Sequence, residues 1–148
     1  MSTFLNDLRL EEIGSGERSG TWGTATNTNL SIIAEAFSYG TETIGDANTT
    51  ITMADATSDE ARSLYLKITS SANLTTTRVI TLAPGTVSKV WIIENATSGS
   101  QVITIKQGSG ATVNIPNGSV KVIATDGGGT SGAVFDLFTD LDVAGTFA

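Results

Sequence analysis

The stretch VSKVWIIENATSGSQVITIKQGSGATVNIPNGSVKVIATDG, residues 87–127, decides the fold class. SKVWIIEN, QVITIK, ATVNI and SVKVIAT are short runs rich in Val, Ile and Thr, and the turn-forming ATSGS, QGSG and PNG separate them. β-Branched residues suit a pleated, half-buried surface, and Gly, Asn and Pro suit the turns between. In SKVWIIEN, Val90 and Ile92 fall on one face and Trp91 and Ile93 on the other, so this strand is expected at the centre of a sheet. The same period of two extends outward, through TTITMA, SLYLKIT and TRVITL on the N-terminal side and AVFDLF on the other. So many short strands in one run predict a mainly β fold, read as an antiparallel β-sandwich or roll over residues 41–148. SKVWIIENATSG and VKVIATDGGGTSG echo each other, and the echo reads as hairpin grammar rather than as a true repeat.

Before residue 41 the pattern changes. In NTNLSIIAEAFSYG, Leu30, Ile33, Ala34 and Phe37 stand at i, i+3, i+4 and i+7, which predicts a short helix over residues 29–40 packed on that face. Asn29 is the expected N-cap and Gly40 the expected stop. Residues 1–28 show no sustained period and read as an N-terminal arm. Phe4, Leu5, Leu8, Leu10, Ile13 and Trp22 are its candidate partner-docking anchors, with Trp22 open to either a core or an anchor role.

Composition removes whole classes of function. The chain has 148 residues, a net charge of −7, no Cys and no His. Nucleic acid and anionic membranes are bound mainly through Lys and Arg, so neither is an expected partner. Without Cys there is no disulfide or thiolate metal site, and without His no Ser-His-Asp triad. MSTFLNDLRLEEIG lacks a basic leading region and an apolar core, and no apolar run approaches membrane-spanning length, which predicts a protein used without secretion or membrane insertion.

The glycine-rich GSGERSGTWG, residues 14–23, lacks the Lys of a P-loop and the flanking strand of a dinucleotide fingerprint. It reads as a flexible approach to something else. Asp55, Asp59, Glu60 and Asp126 are read as solvated turn carboxylates, since no EF-hand pattern surrounds them. Glu35 with Glu42, and Glu11 with Glu12, are carboxylate pairs of the kind any acidic chain offers, and Glu94 reads as a turn residue. No enzymatic activity, cofactor or metal is expected.

NDLRLEEIGSGERSGTWGTATNTNLSIIAEAFSYGT, residues 6–41, resembles the opening segment of tail-fibre-like virion proteins of bacteriophages, notably phages of aquatic bacteria. The stretch 87–127 is similar to domains found in such proteins. The resemblance implies a non-enzymatic structural protein, homotrimeric, located on the virion and mounted on other tail proteins through its N-terminal part. It also implies service in host attachment. The ending DLDVAGTFA resembles the start of a further module. Two alternatives stand beside the tail-fibre mount, a head decoration protein clamping capsomers and a module binding host-surface glycan.

Overall fold

The computed structural model describes residues 1–139, so the DLDVAGTFA ending lies outside the described residues. It contains one α-helix, α1 (Trp22–Glu35), and nine strands: β1 (Tyr39–Ile44), β2 (Thr49–Thr52), β3 (Tyr65–Ser70), β4 (Arg78–Ala83), β5 (Val90–Asn95), β6 (Ile103–Lys106), β7 (Val113–Ile115), β8 (Val120–Thr125) and β9 (Val134–Asp136). They form a five-stranded sheet in the order β1-β3-β5-β8-β9 and a four-stranded sheet in the order β2-β4-β6-β7.

From β1 to β6 the chain passes from one sheet to the other at every strand. Successive visits to the same sheet therefore lie side by side and parallel, β1 on β3 on β5 and β2 on β4 on β6. Tyr39, Tyr65 and Ile92 stand in one row across the first sheet. Beyond β6 the chain reverses, adding β7 antiparallel to β6, β8 antiparallel to β5 and β9 antiparallel to β8. The mainly β class holds, but the sheets are mixed, which corrects the antiparallel arrangement. The reason is physical. A half-buried strand alternates inward and outward residues whatever the direction of its neighbour. A parallel pair needs a long crossover, and here a strand of the opposite sheet supplies it. APG and ATSGS are corners of this coil, whereas QGSG and DGGGTSG join the antiparallel neighbours β6 with β7 and β8 with β9, as hairpin turns do.

A single apolar cluster joins the sheets, including Leu66, Ile68, Trp91, Ile93 and Ile123 from the first and Ile51, Ile80, Ile103, Ile105 and Ile115 from the second. β5 occupies the centre of its sheet, with Trp91 and Ile93 buried and Val90 and Ile92 on the outer face. Trp91 is buried with its indole N–H donating to the Ala61 carbonyl at 2.9 Å, as a buried indole requires. At the end of β5 the buried Asn95 donates to the carbonyls of Gln101 and Ile115, which ties the coil to its returning half.

The N-terminal expectations need the larger correction. The helix spans Trp22–Glu35 rather than residues 29–40, and Gly40 lies in β1, a strand the sequence reading missed. A side chain at Gly40 would strike Ser63 Oγ and the Glu60 carbonyl, so glycine is required there for close packing rather than for stopping a helix. Asn29 is not a cap. It accepts from Glu11 N–H at 3.0 Å and donates to the Glu11 carbonyl at 2.9 Å. The buried helix face is Ala25, Ile32 and Ala36, whereas Leu30, Ile33, Ala34 and Phe37 are exposed. Two sets of residues satisfy helical spacing here, and the contacts of the buried face decided between them.

Residues 1–21 are a closed loop in place of an extended arm. Thr3 and Glu12 exchange backbone hydrogen bonds at 3.1 and 2.9 Å. Arg9 pairs with Asp55 at 2.7 Å, and Asp7 accepts from Ser88 N–H at 2.8 Å. The knot that fastens this loop is Arg62, in the short 3-10 turn Glu60–Arg62, whose side chain is fully buried. Its Nη1 donates to Glu35 Oε2 at 2.6 Å and to the Thr57 carbonyl at 2.8 Å, its Nε to the Leu8 carbonyl at 2.9 Å and its Nη2 to the Ala54 carbonyl. One cation thus joins the N-terminal loop, α1 and the segment before β3. Arg62→Met is expected to cost about 3–5 kcal/mol, because it strands a carboxylate and three carbonyls together. Denaturant unfolding monitored by circular dichroism measures that loss, and an unchanged midpoint would contradict it.

Candidate docking surfaces and grooves

The glycine-rich segment is built around two ion pairs. The Glu17 carboxylate accepts from the amino terminus at 2.7 Å, from Ser2 Oγ at 2.8 Å and from Gly14 N–H at 3.2 Å. Those contacts, the amine first among them, hold its carboxyl below the usual range. Arg18 meets Glu11 through both oxygens at 2.7 and 2.8 Å, in the fork geometry that suits guanidinium and carboxylate. Gly16 and Gly20 take positive φ values of 79° and 78°, which glycine adopts without strain. The segment is a turn that delivers Trp22 to the first position of α1.

The sequence-predicted anchors separate into two groups. Phe4, Leu8, Leu10 and Ile13 are half-buried, while Leu5 and Trp22 are 78% and 64% exposed. Along α1, Trp22, Leu30 and Ile33 project to solvent, and Phe37 extends the stripe just past the helix with 75% exposure. Ile33 follows Trp22 after about three helical turns, and Phe37 follows Ile33 at i+4, so all share one side. Beside this stripe lies the buried face, and the helix is held there by the Glu35–Arg62 pair and by Ser58, whose hydroxyl donates to Glu35 Oε1 at 2.6 Å. The helical period found Leu30, Ile33 and Phe37, and Trp22 stood out as an aromatic in a glycine-rich stretch; neither signal could say which side of the helix faces the protein.

A groove of about 720 Å³ runs between α1, the start of β1 and the turn before β3, with Asn27, Thr28, Ser31, Tyr39, Ser58 and Glu60 among its lining. The Tyr39 ring stacks on Tyr65 with centroids 5.1 Å apart. Close by, carboxylate oxygens of Glu42, Asp59 and Glu60 lie within 4.8 Å of one another. Burial, and then the neighbouring Asp59 and Glu60, push the Glu42 carboxyl up. Asp59 has a structural duty, capping the short turn by accepting from Ala61 N–H at 2.8 Å and also accepting from Ala54 N–H at 3.0 Å. Asp55 is paired with Arg9, and Asp126 accepts from Gly128 and Ala133 N–H groups at 2.9 Å each, as turn carboxylates do. Glu94 accepts from the Tyr65 hydroxyl at 2.8 Å, which raises the phenol's pKa, and lies 3.8 Å from Lys67. Glu94 therefore belongs to the outer sheet face rather than to a turn.

The outer face of the five-stranded sheet was not among the sequence-predicted sites. Val90, Ala124 and Phe135 form one row across β5, β8 and β9. Ile92 and Val122 form the next, with Leu137 N–H donating to the Val122 carbonyl at 3.0 Å. Val90, Val120, Phe135 and Leu137 are between 42% and 49% exposed. The signal was present in SKVWIIEN and SVKVIAT as apolar residues on both faces of each run.

Lys89, at the mouth of the core before β5, donates to the Ser63 and Val90 carbonyls at 3.2 and 3.0 Å, and its ammonium lies 4.5 Å from the Trp91 ring centroid. Burial, reinforced by the Arg62 charge, lowers its pKa from 10.5 to about 8. Between those two values the unfolded chain holds a proton that the folded chain has released, so stability gains from Lys89 as pH rises through that window. Below about 8 both states are protonated and the cost of burying the charge is present in full. Lys89→Met should flatten this part of the stability curve, visible as the difference between wild-type and variant thermal midpoints measured from pH 7 to 11. Parallel curves would show that Lys89 is not the titrating group.

Comparison of the chain with protein-family models, with curated proteins and with solved structures finds no match in any of the three.

Proposed function

We propose that the protein is a non-enzymatic structural component of a bacteriophage virion, the mounting portion of a tail fibre, homo-oligomeric and serving host attachment. The resemblance of residues 6–41 and 87–127 to tail-fibre-like proteins supplies the family. The observation that carries the mounting role is the solvent-facing stripe Trp22, Leu30, Ile33 and Phe37, presented by the very segment that bears the resemblance. A helix that buries one face on its own protein and presents large apolar side chains along the adjoining flank has a surface of the kind used by helix-in-groove partners. Trp and Phe supply wide contact area at small entropic cost, and such residues dominate binding energy when a partner desolvates them. The partner is another virion protein, with an apolar groove matching the stripe. A net charge of −7 disfavours nucleic acid at this surface.

Trp22→Ser combined with Leu30→Ser changes only exposed side chains, so folding should be preserved while association with particles falls about tenfold or more. Particles assembled with the variant, then purified and probed by immunoblot, report this directly. Full incorporation of a folded variant would remove the mounting role, and many copies per particle in place of few would favour head decoration.

The groove beside Tyr39 favours a second reading, recognition of host-surface glycan. Its hydroxyl, amide and carboxylate lining matches the hydrogen-bonding pattern of a saccharide, and an exposed tyrosine ring offers a face for a sugar to stack on. Saccharide titration should then produce chemical-shift changes confined to this groove and weakened by Asn27→Ala. Titration of host envelope oligosaccharides without any shift would dismiss it.

A further inference from the structure

We propose that the outer face of the five-stranded sheet is the surface through which copies of this chain associate. The proposal rests on the homo-oligomeric part of the reading above and assigns it a location. Val90, Ile92, Val120, Val122, Phe135 and Leu137 make an apolar field across β5, β8 and β9 and the turn after β9. At its far end lies the stacked pair Tyr39 and Tyr65, in the same row as Ile92. Val90, Val120, Phe135 and Leu137 are each 42–49% exposed and Tyr39 60%, a run of apolar surface on neighbouring strands of the kind that marks an interaction site.

Charge selects a second copy as the occupant. A chain of net charge −7 repels itself over most of its surface. This face is different, because its charges are already matched within the protein. Its one ion pair among the described residues is Lys67 with Glu94, 3.8 Å apart, because Lys121 and Asp136 alternate with Val120, Val122 and Phe135 and belong to the other side of the sheet. An identical copy can therefore approach without bringing unpaired like charges together, whereas a strongly basic partner would find only Glu94, already paired with Lys67. A neutral apolar patch is also complementary to itself, which is what a two-fold contact between identical copies requires. The helix stripe lies outside this sheet face and is left free for the virion partner.

The test uses the full chain in solution. Light scattering or sedimentation across a dilution series should show wild type as an oligomer that dissociates on dilution. Phe135→Asp and, separately, Val120→Asp should shift the midpoint of association by about tenfold or more to higher concentration. Both positions are half exposed, so circular dichroism and thermal midpoint should remain those of wild type. Thr112→Asp, exposed and outside this face, and the Trp22→Ser/Leu30→Ser variant should associate as wild type does.

A wild-type chain that stays monomeric at every concentration overturns the proposal. If Phe135→Asp then also lowers the thermal midpoint, the face is covered within the chain; if it does not, the face serves a different protein. Wild-type association by the sheet-face variants overturns it equally. Particle incorporation is measured separately, so failure here and failure of the mounting role are distinguishable.

Discussion

The N-terminal half of this structure depends on one buried guanidinium. Arg62 has no solvent exposure, yet every contact it makes is to a carboxylate or carbonyl, and those contacts belong to segments far apart in the chain. Leu8 comes from the N-terminal loop, Glu35 from the end of the helix, and Ala54 and Thr57 from the segment following β2. A charge taken out of water is costly unless its donors are satisfied, so the surrounding backbone must converge on it. That convergence turns α1 toward the protein by its Glu35 side and leaves the adjoining flank outward. The exposed stripe of Trp22, Leu30, Ile33 and Phe37 is thus a consequence of where the arginine sits.

The β-coil provides a different kind of constraint. Each visit to a sheet is stacked on the previous one, and its inward residues enter a core shared by both sheets. Where polar side chains enter, as at Asn95, Gln107 and Thr125, they satisfy backbone groups at the corners; the latter two both donate to the Val87 carbonyl at 2.7 Å. The core therefore leaves no buried side-chain polar atom unpartnered among the described residues. Large apolar residues nevertheless remain outside, on α1 and on the outer sheet face.

Much of the fold was legible because strand existence depends on local alternation and turn residues. SLYLKIT, TRVITL, SKVWIIEN, QVITIK, ATVNI, SVKVIAT and AVFDLF all contain strands, and the two-sided apolar character of SKVWIIEN marked the central one. YGTETI escaped because the helical pattern was carried through Gly40. The coil escaped because the spacing of its stacked strands is uneven, from Arg78 to Ile103 in one step and from Thr49 to Ile80 in another, and is carried by burial and register rather than by identical letters. Tyr39, Tyr65 and Ile92 align in space, but nothing local in the chain relates them.

The sequence by itself determined the β-rich class, the exclusion of thiolate and histidine chemistry, the acidic balance and the identity of the large apolar residues, since each follows from composition or from contacts within a few residues. Only the tertiary structure decided the strand directions, the face on which α1 packs and the division of apolar residues between core and surface. Those depend on partners distant in the chain: Arg62 with Glu35 and Leu8, β5 with β8, Asn95 with Ile115. A helix periodic on two sides and a strand apolar on both faces present equal local options, and long-range packing chooses between them.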